Sequence, residues 1–235
     1  AEESKIGITL NLNTATPASD SDYDKKACSF YDAQFNKLYL DPLYNQKYPS
    51  LLFEVLLKKN LIKQSDLTFI QNGDLKTIGT QTDFLGVNYY SRGIIRSDEV
   101  DESINEKQNV ELGPKTDFGW EVYPKGLYDL LKKLQLEFNV KEIIITENGC
   151  SYSDGPNENK IINDIKRIEY HKSHVEQILI AVKEGVPCTG YFAWSFMDNF
   201  EWAEGYSQRF GLIWIDFNTL ERIPKKSYYW YQNFL

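Results

Sequence analysis

The stretch that most constrains this chain is Lys141-Glu142-Ile143-Ile144-Ile145-Thr146-Glu147-Asn148-Gly149. An apolar, β-branched run of this kind reads as a strand buried on both faces, as in parallel sheets covered by helices. Strand side chains alternate, so Ile143, Ile145 and Glu147 are expected on one face and Ile144 and Thr146 on the other. A carboxylate on the inward face of a buried strand is costly unless it has partners or a task. Its position just before an Asn-Gly turn is a C-terminal strand end, where parallel α/β barrels keep their chemistry. Glu147 also reads as a strand-terminal residue capping a turn in solvent, and the stretch alone does not choose between the two.

Other segments place this strand in a repeated order. Residues 5–12 (KIGITLNL) alternate and are β-branched, residues 83–91 (DFLGVNYYS) form a second strong strand, and residues 188–196 (CTGYFAWSF) a further one. Helices are expected over residues 20–40, residues 50–59 with Ser50 as cap, residues 124–138 with Pro124 in first position, and residues 161–184. A short helical turn is expected at Ser65 and Asp66. Residues 92–109 are polar and suit a short hairpin before a solvated loop. Residues 211–217 suit an edge strand and residues 225–235 a terminal helix. Strand followed by helix, repeated with elaborated strand-to-helix loops, is an α/β parallel pattern in one unit spanning residues 1–235. A doubly wound nucleotide fold would place a Gly-rich loop after the first strand. Here that strand leads into Asn13-Thr14-Ala15-Thr16-Pro17, which offers no phosphate cradle, so half of an eight-stranded barrel is the better fit.

The 235 residues are 42% hydrophobic, enough for a sizeable core, and the net charge of −8 argues against a polyanionic nucleic-acid partner. No apolar run reaches membrane-spanning length, and the N-terminal residues lack a signal-peptide pattern. Cys28, Cys150 and Cys188 form no Cys-x-x-Cys site and read as reduced thiols, which points to a cytoplasmic setting, with secretion left open as the alternative. His171 and His174 sit three apart on an expected helix without acidic or cysteine partners nearby in sequence, so no metal site is expected.

The strand ends carry a set of polar and aromatic residues: Asn11, then Asn88 and Tyr90 on one face, then Glu147, then Trp194. In a barrel these ends converge on one mouth. The segment from Trp194 to Gly211 alternates carboxylates with indoles and phenyl rings. Carboxylates accept hydrogen bonds from sugar hydroxyls and indoles stack on the apolar face of a pyranose. The plain alternative is an aromatic core loop, with Met197 and Phe200 as its core residues.

The segments TENG, DFLGVNYY, FGWEVYPKGL and AWSFMDNFEWAEGYSQRFGL resemble the family 1 glycoside hydrolases, the retaining β-glucosidases. The resemblance runs from Lys5 to Leu235 and includes Asp164-x-x-Arg167-Ile168-x-Tyr170 and Arg222-x-Pro224-Lys225-Lys226-Ser227. It implies that Glu147 is the catalytic nucleophile, forming a covalent glycosyl-enzyme, with Tyr90 hydrogen-bonded to it. It further implies a sugar site lined by Asn11 and Asn88, with Trp194 stacked under the ring, Glu201 and Trp202 bonded to its hydroxyls, Phe210 near C6, and Trp120 in the leaving-group subsite. The Trp194–Ser195 peptide is a candidate cis bond. The phospho-glycosidase branch places Ser, Lys and Tyr around a sugar 6-phosphate, so Glu201 argues for an unphosphorylated sugar. No cofactor is implied.

One part of the family pattern is missing. Retaining hydrolysis needs a second carboxyl group about 5–5.5 Å from the nucleophile. The family carries it in a Thr-x-Asn-Glu-Pro segment that this sequence lacks; Asn105-Glu106 and Asn157-Glu158 stand in loops without the proline. The first strand here matches the family's fifth. The expected fold is therefore α/β, half of a (β/α)8 barrel comprising strands 5–8 and their helices. Such a half has two unpaired edges, so a complementary N-terminal half-barrel or self-association is expected. The alternative to an enzyme half is a non-catalytic carbohydrate-binding or self-assembling half-barrel.

Overall fold

The computed structural model describes residues 4–98 and 110–235. Its centre is a four-stranded sheet in the order β1 (Gly7–Asn11), β3 (Phe84–Asn88), β5 (Ile143–Asn148), β6 (Cys188–Ala193), every neighbouring pair parallel. Parallel neighbours need crossovers. These carry α1 (Asp22–Asp32), α2 (Leu38–Leu40), α3 (Ser50–Lys58) and α4 (Asp74–Ile78) after β1, α5 (Pro124–Phe138) after β3, and α6 (Ile165–Lys183) after β5. The helix α7 (Lys226–Phe234) closes the chain. This is the half-barrel arrangement, with helices against one face of the sheet.

The helix-facing side is the core. Leu85, Val87, Ile143 and Ile145 pack there with Leu127, Leu130, Leu131 and Leu134 of α5 and Ile178 and Ala181 of α6. The amphipathic α5 supplies its leucines at helical spacing, which aligns them along one stripe. On the opposite face Gly86 lies against Thr9 and Thr146, and Gly190 against Ile144; a methyl group at Gly86 would collide with both threonines. The outer edges of β1 and β6 carry no further strand among the described residues. Beside β6 an apolar hollow of about 500 Å³ is lined by Phe192, Phe196, Tyr228, Tyr231 and Leu235.

Several expectations are corrected. Glu147 does not share a face with Ile143 and Ile145. Val87 pairs with Ile145, and the next residue Asn88 pairs with Glu147, so Thr146 is an extra residue on β5. The bulge reverses the alternation beyond it. Both Thr146 and Glu147 then meet side chains of β3 and its exit on the open face, while Asn148 turns into the buried helix side.

Residues 92–109 do not make a hairpin where they are described: β4 (Arg92–Ile95) pairs parallel with β2 (Thr14–Pro17). β1 and β3 leave the sheet in the same direction, and their continuations go on pairing. The remainder of that expected hairpin, residues 99–109, lies outside the described residues. The expected edge strand at 211–217 is β7 (Ile213–Ile215), joined in an antiparallel hairpin to β8 (Arg222–Pro224). Asp216 makes the turn by accepting from the N–H groups of Asn218 and Thr219.

The helix expected over 161–184 begins only at Ile165, with Asp164 at its N-cap. The helix expected over 20–40 runs on through wider turns to Asn45. Ser50 is the first residue of α3 and its side chain makes no capping bond. Phe200 is 57% exposed, and the buried side chains of that segment include Ser195, Asp198 and Phe210.

Candidate active site

Glu147 stands at the mouth because of the bulge in β5. Tyr90, two residues beyond β3, donates its phenol O–H to Glu147 Oε2 at 2.6 Å. Burial, followed by this carboxylate and then by Glu201, pushes the Tyr90 phenol well above its ordinary value, so it stays protonated and remains a donor. Asn88 Oδ1 accepts from Thr146 Oγ at 2.7 Å, which fixes the amide beside the bulge. Asn11 is directly paired with Asn88 across the β1–β3 ladder.

Beyond Tyr90 an aromatic wall rises. The Tyr90 and Trp120 rings lie 5.2 Å apart, Phe118 and Trp120 4.2 Å, and Trp120 and Phe210 6.0 Å. Phe210 is 3% exposed and is the anchor of this wall. Asn11, Tyr90 and Trp120 share an open groove of about 510 Å³, which also reaches Tyr31 and Phe35. The loop carrying Trp120 is held by the buried Arg92–Glu121 ion pair, with Nε to Oε2 at 2.7 Å.

The loop after β6 supplies the remaining residues. The Trp194–Ser195 peptide is cis. Burial and then the neighbouring charge of Glu147 raise the Glu201 carboxyl above the usual range, and a hydrogen bond from the Trp194 side chain offsets part of that shift. Glu201 is thus tied to Trp194 by a hydrogen bond and to Glu147 and Tyr90 by electrostatic interaction. Trp202 follows Glu201 directly and is 81% exposed on this half. Asp198 anchors the loop from below, accepting from Arg209 Nη1 at 2.7 Å, Lys225 Nζ at 3.1 Å and the Gly211 N–H at 2.8 Å.

Sequence reasoning named Tyr170, His171 and His174, but not the cluster that they form with Asn148 and Tyr191 beneath the site. Asn148 is fully buried, donating to the Tyr89 carbonyl at 2.8 Å and the Tyr170 hydroxyl at 3.1 Å and accepting from the Tyr191 hydroxyl at 2.9 Å. His171 and His174 belong to this region. Nδ1 of His171 meets the Tyr191 hydroxyl at 2.7 Å, and Nδ1 of His174 meets the Tyr170 carbonyl at 2.7 Å. Among the described residues no group of three or more His, Cys, Asp or Glu side chains is placed to hold a metal ion, and no helix is long and apolar enough to cross a membrane.

A parallel half-barrel with a tyrosine-held carboxylate at a strand end and an indole-and-carboxylate loop beside it defines a glycoside-hydrolase type of site. The family model described as "Glycosyl hydrolase family 1" matches residues 1–235, and the chain belongs to that family. Among relatives, a 1,4-beta-D-glucan glucohydrolase of Thermotoga neapolitana is 41% identical over 99% of this chain and 51% of its own length. A 6-phospho-beta-galactosidase of Clostridium acetobutylicum is 36% identical over 98% of this chain and 53% of its own. The solved family 1 β-glucosidase of Thermotoga maritima superposes with a TM-score of 0.83 at 40% identity, covering 98% of this chain and 50% of that one. The same enzyme is also known in complex with isofagomine lactam. The chain spans about half the length of the relatives it matches.

Proposed function

We propose that this chain is the nucleophile-bearing half of a retaining β-glucosidase, acting on β-D-glucosides and, by extension, β-galactosides or β-fucosides. The observation that carries the reading is the 2.6 Å bond from Tyr90 to Glu147 at the exposed end of a parallel strand. It leaves a carboxylate oriented, with its second oxygen available at the mouth. Glu147 attacks the anomeric carbon, the bond to the leaving oxygen breaks, and a glycosyl ester forms; water then attacks that ester and releases the sugar. Protonation of the leaving oxygen, and deprotonation of the water, belong to a carboxyl group on a complementary half-barrel that pairs with the open edges of β1 and β6. Asn11, Asn88, Trp194, Glu201 and Trp202 bind the sugar, Phe210 backs it, and Trp120 contacts the leaving group. Glu201 sets the choice against a 6-phosphate, whose charge a carboxylate repels.

An activated leaving group separates these roles, because 2,4-dinitrophenolate departs without an acid. On incubation with 2,4-dinitrophenyl 2-deoxy-2-fluoro-β-D-glucoside, the chain is expected to gain one fluoroglucosyl unit mapped to Glu147 by peptide mass spectrometry. Glu147→Gln is expected to gain none. Hydrolysis of unactivated glucosides is expected only once the complementary half is added. Retention of the sugar without any ester at Glu147 refutes the nucleophile assignment and leaves the non-catalytic, carbohydrate-binding half-barrel.

A further inference from the structure

We propose that Asn148, Tyr170, Tyr191 and His171 form a buried positioning relay that locks the β5 bulge and thereby aims Glu147 at Tyr90. The inference rests on the reading of Glu147 as nucleophile. The hydrogen bonds run in one direction. His171 Nδ1 donates to the Tyr191 hydroxyl, which donates to Asn148 Oδ1; Asn148 Nδ2 donates to the Tyr170 hydroxyl, which donates to the carbonyl of Tyr90 at 3.0 Å. Because the Tyr191 proton is committed to Asn148, the His171 ring must carry its proton on Nδ1.

Both ends of the relay touch the reacting groups through the backbone. Asn148 is the residue after Glu147, and the Tyr90 carbonyl belongs to the residue that holds the carboxylate. A bulge disrupts the ladder locally. Here the Asn148 side chain supplies a further bond across it, to the Tyr89 carbonyl at 2.8 Å. Without the bulge, strict alternation would put residue 147 on the face of Ile143 and Ile145, among the α5 and α6 side chains. A regular β5 would therefore bury the carboxylate and break its bond to Tyr90. The relay is the feature that makes the irregular register the stable one.

Tyr170→Phe and Tyr191→Phe each delete one hydroxyl and keep the ring. The control is Tyr128→Phe, which deletes a hydroxyl bonded to Glu184 on the surface, far from the relay. In the 2,4-dinitrophenyl fluoroglucoside assay, the saturating rate of labelling at Glu147 is expected to fall on the order of 10- to 100-fold in both relay variants. A displacement of about 1 Å at a reacting group costs about that much. The concentration giving half-maximal rate is expected to move less than about threefold, since no sugar contact is removed, and Tyr128→Phe is expected to match the parent chain. Parent-like labelling in both relay variants, or a change in half-maximal concentration alone, overturns the relay. If the parent chain itself takes no label, the nucleophile reading fails, and crystal structures of the two variants decide the relay separately. A Tyr90–Glu147 contact still at 2.6 Å in both refutes it, and a lengthened contact with β5 returned to regular register supports it.

Discussion

Arg167 is fully buried, and every donor of its guanidinium is used inside the protein. Nε bonds Asp164 Oδ2 at 3.0 Å; Nη1 reaches the Cys150 and Phe210 carbonyls; Nη2 reaches the Tyr152 and Arg209 carbonyls at 3.3 and 3.0 Å. One side chain on α6 therefore clamps the loop after β5 to the loop that carries Phe210. Arg167→Met keeps the aliphatic length and removes all of these bonds. The Asp164 carboxylate keeps the Ser227 N–H and hydroxyl and the nearby Lys225 charge, which is not bonded to it, and loses its hydrogen-bonded cation in a buried site. Removing one partner of a buried pair costs about 3–5 kcal/mol. Each carbonyl left without a donor adds about 1 kcal/mol or more. The sum is on the order of 5 kcal/mol at least, comparable to the whole stability of a typical domain, about 5–15 kcal/mol. Urea unfolding followed by far-UV circular dichroism is expected to show the variant largely unfolded in buffer. Arg167→Lys keeps a charge but lacks the planar fork, and should lose part of this energy. Adding Asp164→Asn to Arg167→Met removes the stranded charge and is expected to restore part of the loss. A stability within about 1 kcal/mol of the parent for Arg167→Met would falsify the clamp, because no rearrangement could serve that many carbonyls from a thioether.

Three other perturbations test separate parts of the structure. Burial holds the His171 ring at about 3 and the His174 ring at about 4, below the ordinary 6.5, with the Arg167 charge adding to the effect at His171. Both rings are neutral in the folded chain and protonate first in the unfolded one, so stability is retained above about pH 6.5 and lost as pH falls toward their folded values. The slope approaches about 1.4 kcal/mol per pH unit for each ring. His174→Asn, whose amide can still reach the Tyr170 carbonyl, should flatten the urea-midpoint profile between pH 5 and pH 6.5 by about half; an unchanged slope refutes the burial argument. Gly149→Ala should destabilise the chain by about 1–3 kcal/mol or more, because an added methyl collides with the Trp194 carbonyl. Wild-type stability there would mean the two loops are not in close approach. Glu201→Ser should narrow the preference for glucosides over 6-phosphoglucosides in the assembled enzyme, read as a ratio of kcat/KM; an unchanged ratio removes Glu201 from that choice.

Much of the fold was legible because apolar, β-branched runs leave a plain signature. The isoleucine run and DFLGVNYY form the two inner strands of the sheet, CTGYFAWSF carries the edge strand β6, and α5 follows its leucine spacing from Pro124 to Phe138. The less legible parts depend on partners distant in sequence. TATP has too little hydrophobic pattern to announce a strand, and it becomes β2 only because Arg92–Ile95 runs beside it. The β7–β8 turn was readable in principle from Asp216-Phe217-Asn218, a side-chain-capped turn of a familiar kind. Asp164 and Ser227 illustrate a third case, since their 2.5 Å bond joins residues 63 apart and no local pattern encodes it.

The site shows the same division within a single strand. The residue types and their positions at strand ends were enough to bring Tyr90 and Glu147 into one hypothesis. The alternation rule, applied without interruption, placed Glu147 with the wrong isoleucines. A strand that is regular up to Ile145 buries Ile143 and Ile145 against the helices, as the core requires. A carboxylate at position 147 that meets Tyr90 at the mouth must face the other way. One inserted residue satisfies both demands, and Thr146 is that residue, held by its hydroxyl to Asn88 while Asn148 resumes the buried side. A regular strand could serve the core or the mouth from these positions, but not both. On the proposed reading the polar side chains gathered under β5 serve the site: an all-apolar core there would favour the regular register, in which Glu147 points away from the mouth.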